Sequence, residues 1–148
     1  MRMSDQGLKL LAAWEGIRLK PYRDAAGHWT IGVGHLMSRQ EMIGYADGIT
    51  KEVALSLLAD DVSEAETCVA RNVKTGLQQY EFDAIVSFCF NVGIGAFSRS
   101  TLLKRLNARD YQGVPQELMK WTRANGKRCA GLVSRREKEI RLWRGEID

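Results

Sequence analysis

The 148-residue chain reads as an α+β protein, mostly helical: a small N-terminal lobe with a β-hairpin, joined by a long helix to a larger helical lobe, with a cleft between them. Three observations predict this. Apolar residues alternate with small or polar ones only between Leu19 and His35, where glycines punctuate the pattern. Helical apolar repeats take over from Thr50 and run to the C-terminal end. The length suits one domain, divided at about residues 1–50 for the small lobe, about 51–75 for the connecting helix and about 76–148 for the helical lobe.

The first helix is expected over Ser4 to Trp14, with Leu8, Leu11 and Trp14 on one face. Ser4 is its N-cap, and Gly16 ends it in a left-handed conformation. Tyr22, Trp29, Ile31 and Val33 supply the alternating face of the hairpin, with Ala25-Ala26-Gly27 at its turn. Met37 to Gly48 is irregular, with room for a short helical piece. Thr50 then caps one continuous helix from Lys51 to about Asn72, which sets Val53, Leu57, Leu58, Val62, Ala65 and Val69 on one side. Gly76 interrupts. Gln78 to Asn91 is apolar almost all round and reads as a central buried helix. Shorter helices follow at Ser100–Asn107, Asp110–Thr122 and Ser134–Arg144, with Pro115 in the first turn of the second.

Composition narrows the function classes. No apolar run approaches the roughly 18 residues of a membrane span, and the start, Met1 to Gln6, lacks the apolar core of a secretory signal. The net charge of +4 admits a polyanionic partner, either nucleic acid or bacterial wall. No helix-turn-helix spacing or arginine–aromatic interleaving supports nucleic acid. Cys68, Cys89 and Cys129 are too few and too scattered for a disulfide framework, and no Cys/His spacing suits zinc, so no metal is expected. An odd number leaves at least one thiol free. Arg135 and Arg136, with Lys138, Arg141 and Arg144, form a basic helix face that reads as solvated, with attraction of anionic wall polymer as the alternative. Trp121 and Trp143 fall in apolar helical patterns and read as core aromatics.

The chemistry concentrates in the first forty residues. Glu15 ends a helix at Trp14-Glu15-Gly16, Asp24 follows nine residues later, and Thr30 six beyond that. Glycoside hydrolysis needs an acid to protonate the leaving oxygen and a second group to activate water or stabilise the cationic sugar. Carboxylates nine apart are common, and most such pairs are solvated surface groups.

The register around the pair goes further. Glu15-Gly16-x-x-Leu19-x-x-Tyr22-x-Asp24-x-x-Gly27-x-x-Thr30-Ile31-Gly32-x-Gly34-His35 closely resembles the signature of the phage-type lysozymes, glycoside hydrolase family 24. Phe88-x-Phe90-Asn91-x-Gly93, the Trp121 region and Gly131-Leu132-x-x-Arg135-Arg136-x-x-Glu139-x-x-Leu142-Trp143 extend the resemblance over nearly the whole chain. It implies a lysozyme-like fold and an endolysin that cuts the β-1,4 bond between N-acetylmuramic acid and N-acetylglucosamine in peptidoglycan. It makes Glu15 the general acid, Asp24 the second carboxylate and Thr30 the hydroxyl that places water. It also pairs His35 with Asp61, with Asp60 as competitor, in a structural ion pair. Asn91 becomes a substrate-binding residue, with helix capping as its alternative, and Arg135 a weaker one. No cofactor is implied.

Two competing readings remain at this point. A lytic transglycosylase cuts the same bond without adding water and needs one acid only, so Asp24 and Thr30 argue against it. A non-catalytic wall-binding module would have no use for Glu15. The resemblance further implies a monomer held in the host cytoplasm until a holin permeabilises the membrane, then acting on the wall in the periplasm. Ser4–Leu11 is too short and polar for the apolar N-terminal anchor that some relatives carry.

Overall fold

A computed structural model describes residues 1–147, which are mostly helical (59%) with a small antiparallel sheet. The chain forms two compact units, one of Leu8–Ser63 and one of Met1–Gly7 with the residues from Glu64 onward.

In the Leu8–Ser63 unit, helix α1 (Asp5–Glu15) delivers Leu11 and Ala12, both fully buried, and stops where Gly16 turns left-handed (φ +87°) and donates to the Ala12 carbonyl. Strands β1 (Arg18–Arg23), β2 (Trp29–Gly32) and β3 (His35–Leu36) form an antiparallel sheet in that order. The expected hairpin is therefore the first two strands of three. Tyr22 faces Thr30, and Ile31 faces His35. Helix α2 (Arg39–Gly44) occupies the segment expected to be irregular, opened by a capping box in which Ser38 and Glu41 satisfy each other's backbone N–H groups. Helix α3 (Lys51–Asp61), capped by Thr50, lies against β2. The α-carbon of Gly32 faces Ala54 so closely that a side chain there would meet the Ala54 methyl at 3.4 Å. Ile31, Val33, Ala54, Leu58 and Val62 complete this core.

The continuous helix expected from Lys51 to Asn72 is two helices. α3 ends at Asp61, and α4 (Ser63–Asn72) starts after a one-residue turn at Val62. The Ser63 hydroxyl bonds back to the Asp60 carbonyl at 2.7 Å, competing with the helical ladder. Val62 is fully buried, so the apolar repeat persists through the break and hides it from a periodicity reading.

The other unit is built on α5 (Gln79–Val92), which packs along α9 (Ala130–Trp143). Between them lie α6 (Ile94–Ser98), α7 (Thr101–Asn107), a 3₁₀ turn at Tyr111–Gly113 and α8 (Val114–Leu118), with Pro115 in its first turn. Phe88, Phe97, Leu102, Leu106 and Leu118 are fully buried here, each contributing about 1.5–3 kcal/mol by removal from water. Trp121 sets its ring edge-on to Phe88 at 5.5 Å, and Trp143 is buried against Tyr111. The helix expected over Asp110–Thr122 is the 3₁₀ turn followed by α8, which stops at Leu118. A short hairpin, β4 (Arg123–Ala124) and β5 (Lys127–Arg128), follows, turning through left-handed Asn125 and Gly126. α9 starts at Ala130, four residues before the expected Ser134.

The basic face expected on α9 is corrected in part. Arg135 and Arg136 are 8% and 1% exposed, because both bond to Glu139, which is itself fully buried. A carboxylate one turn along the same helix turns two solvated cations into interior ones. Lys138, Arg141 and Arg144 remain exposed. All three cysteines are thiols. Burial, with Cys68 nearby, pushes the Cys89 thiol up to about 12, which leaves it protonated and inert at neutral pH.

Candidate active site

Glu15 occupies the last position of α1 and is exposed, three residues before β1 begins. The left-handed Gly16 turns the chain away immediately after it, so the carboxyl stands at a helix end.

Asp24 follows the last residue of β1 and organises the turn. Its Oδ1 accepts from the backbone N–H groups of Ala26 (3.0 Å) and His28 (2.8 Å), its own N–H donates to the His28 carbonyl, and Gly27 N–H donates to the Asp24 carbonyl. The left-handed Gly27 (φ +86°) closes this turn at the end of the expected Ala25-Ala26-Gly27 stretch. Thr30 lies one strand away, 2% exposed, and donates its hydroxyl to the same His28 carbonyl at 2.9 Å. The Asp24 carboxylate and the Thr30 hydroxyl are thus fixed to the N–H and the carbonyl of one residue, His28. Among the described residues, the second carboxylate oxygen of Asp24 meets only the exposed His28 ring, at 3.7 Å. It remains available to a water or sugar hydroxyl.

His35 begins β3 and is held at both ring nitrogens. Nδ1 lies 2.8 Å from Asp61 at the end of α3, and Nε2 3.0 Å from Glu41 on α2. Asp60 is exposed, and among the described residues no bond joins it to His35. Burial, the largest single influence, pushes the imidazole pKa down. Hydrogen bonds and charges from Asp61 and Glu41 outweigh it together and leave the pKa raised. Glu41 is lowered, first by the Ser38 backbone N–H and then by His35, against an opposing push from burial. Sequence reasoning missed Glu41, although the Ser38-x-x-Glu41 capping-box pattern was there to be read.

Asn91 and Arg135 belong to the other unit. Asn91, exposed near the end of α5, accepts from Arg136 through Oδ1 rather than capping the helix, whose C-cap is Gly93. Arg135 donates to Glu139 at 3.0 Å and to Ser87. Ser87 also donates to Glu139 at 2.6 Å, which completes a buried polar network. Arg135, Arg136 and Glu139 share α9 at helical i,i+3 and i,i+4 spacing, whereas Ser87 reaches them from α5, a partner for which composition offered no signal. Among the described residues no group of His, Cys, Asp and Glu is arranged to hold a metal ion.

This fold is that of the lysozymes. A crystal structure of a P22 lysozyme mutant superposes with a TM-score of 0.85 at 34% identity, over 97% of this chain and 98% of that one. The family of phage lysozymes matches residues 12–139. The endolysin of Acyrthosiphon pisum secondary endosymbiont phage 1 is 42% identical over 147 residues, 97% of this chain and 98% of its own length. The SAR-endolysin of Escherichia phage Mu is 40% identical over 129 residues, 87% of this chain and 73% of its own. The chain belongs to the phage lysozyme family and is an enzyme of the lysozyme type.

Proposed function

We propose that this endolysin hydrolyses the β-1,4 bond between N-acetylmuramic acid and N-acetylglucosamine in peptidoglycan, with Glu15 as general acid. The Glu15 carboxyl gives its proton to the glycosidic oxygen as the bond to C1 breaks. Asp24 takes a proton from the water that attacks C1, or stabilises the oxocarbenium-like transition state. Thr30 helps seat that water. The observation that carries this reading is the shared anchoring of Asp24 and Thr30 on His28. With its proton spent on the His28 carbonyl, the Thr30 hydroxyl keeps lone pairs to accept from water. With Oδ1 held by two backbone N–H groups, Asp24 presents Oδ2.

The enzyme works as a monomer, needs no cofactor and reaches the wall when a holin opens the inner membrane, having been stored in the host cytoplasm. No described helix is long and apolar enough to cross a membrane. Delivery is tested directly. Expression alone should leave cells intact, and co-expression with a holin should lyse them. Catalysis is tested by following new reducing ends from purified sacculi. Wild type should release them, and Glu15→Gln should lose activity by about 10²–10⁴-fold. Full activity in Glu15→Gln would sink the assignment.

A further inference from the structure

One concavity lies wholly within the helical unit, where the start of α5 meets the end of α9. It encloses about 440 Å³ between Tyr80 and Glu81 of α5, Tyr111 and Gln112 of the 3₁₀ turn, and Trp143 and Arg144 at the end of α9. Its rings are held in place. Tyr111 is tilted against Trp143 with ring centres 6.2 Å apart, and its hydroxyl donates to the Gly76 carbonyl at 3.0 Å. Tyr80 lies on Gly145 so closely that a β-carbon there would come within 3.2 Å of the ring. Gly145 is left-handed (φ +70°), which follows from its place past the last turn of α9 and leaves that space open. Tyr80 still keeps 41% of its surface exposed. The polar groups around the rings are of both kinds. Glu81 spends Oε1 on the Gln78 N–H at 2.7 Å and keeps Oε2. The Tyr80 hydroxyl, the Gln112 amide and the Arg144 guanidinium make no hydrogen bond or ion pair among the described residues.

Flat apolar ring faces, bordered by one carboxylate, one guanidinium and two groups that both donate and accept, suit a neutral ligand. An anion or a cation would meet a charge of its own sign. A purely apolar ligand would take water from four polar groups and return no hydrogen bond. A pyranose satisfies both conditions, with an apolar face for a ring and hydroxyl or amide groups at its rim. We propose that this pocket is a second glycan-binding site, which stacks one N-acetylated sugar of a peptidoglycan strand on Tyr80, with Glu81 and Arg144 on its polar rim. This rests on peptidoglycan being the substrate. The polymer gives such a site its use: the wall repeats the same sugars, so a weak second contact prolongs residence there without touching the bond that is cut.

The test titrates ¹⁵N-labelled Glu15→Gln, which leaves the ligand uncut, with soluble glycan strands freed of their peptides. The backbone signals of Tyr80, Gln112 and Arg144 should shift. Adding Tyr80→Ala should weaken that response by about tenfold, the scale of one aromatic stacking contact. Tyr80→Phe keeps the ring face and should retain most of it. Arg144→Gln, at an exposed position where folding is not at stake, should weaken it too. On sacculi, with Glu15 intact, Tyr80→Ala and Arg144→Gln should raise KM and leave kcat in place, a split that a loss of folded enzyme would not give. Shifts confined to other residues, or wild-type KM in both variants, would overturn the second site alone. A wild type that releases no reducing ends, while Tyr80 and Arg144 still respond to glycan, would overturn the hydrolase reading and leave the pocket standing.

Discussion

The imidazole of His35 and the carboxylate of Asp61 meet at 2.8 Å within the Leu8–Ser63 unit, joining the start of β3 to the end of α3, with Glu41 on the other ring nitrogen. The pH dependence follows from the two shifts. His35 has a raised pKa, so its contribution is complete below about 6.5 and is lost as pH rises through the folded value. Glu41 has a lowered one, so its contribution is complete above about 4.5 and is lost as pH falls through the folded value. The cluster therefore stabilises most between about pH 4.5 and 6.5. Asp61→Asn should cost about 1–2 kcal/mol in that window and less above it. Thermal melts from pH 4 to 9 would check this, and a deficit that grew toward pH 9 would contradict it.

Glu139 is the only carboxylate bonded to the buried Arg136 guanidinium among the described residues. Glu139→Gln leaves that charge uncompensated in the interior and should cost about 3–5 kcal/mol in urea unfolding. A loss under 1 kcal/mol would mean that water reaches the network.

Gly7 lies against Asp83, whose buried carboxylate accepts from the Ser4 N–H and hydroxyl and from Gln79. A β-carbon at Gly7 would meet Asp83 Oδ2 at 2.6 Å and Cγ at 2.7 Å. Gly7→Ala should therefore destabilise by about 1–3 kcal/mol despite its better helix propensity, as read from the melting temperature. A stabilised Gly7→Ala would show that Asp83 moves aside freely.

Asp24 and Thr30 separate structure from chemistry. Asn at position 24 can still accept the turn N–H bonds, so Asp24→Asn should melt within about 1 kcal/mol of wild type while losing most activity. Thr30→Ser keeps the hydroxyl and should retain much more activity than Thr30→Val. Turnover beside melting curves distinguishes them, and an Asp24→Asn as unstable as it is inactive would make Asp24 a turn residue only.

Much of this was legible in the sequence because the signals were local. Ser4 and Gly16 bracket α1, the glycines mark the β1–β2 hairpin, and the apolar run from Gln78 marks α5. β3 and the β4–β5 hairpin have two residues per strand, too short for alternation to register. The break at Val62 preserves the apolar face, and so leaves no trace in the periodicity. Arg135 and Arg136 read as solvated because charge alone carries no record of Ser87, Asn91 and the Trp121 carbonyl, which reach them from other elements. At the site, Glu15, Asp24 and Thr30 were visible as a register. The part of His28 was not, since it acts through its backbone.

Hydrolysis with Glu15 and Asp24 in these roles is tested most directly by digesting peptidoglycan in ¹⁸O-water and weighing the released fragments by mass spectrometry. Wild type should give reducing muramyl ends carrying one ¹⁸O at C1, with Glu15→Gln giving almost none and Asp24→Asn very little. Anhydro-muramyl ends without label would instead make the enzyme a transglycosylase and leave Asp24 and Thr30 without a water to place.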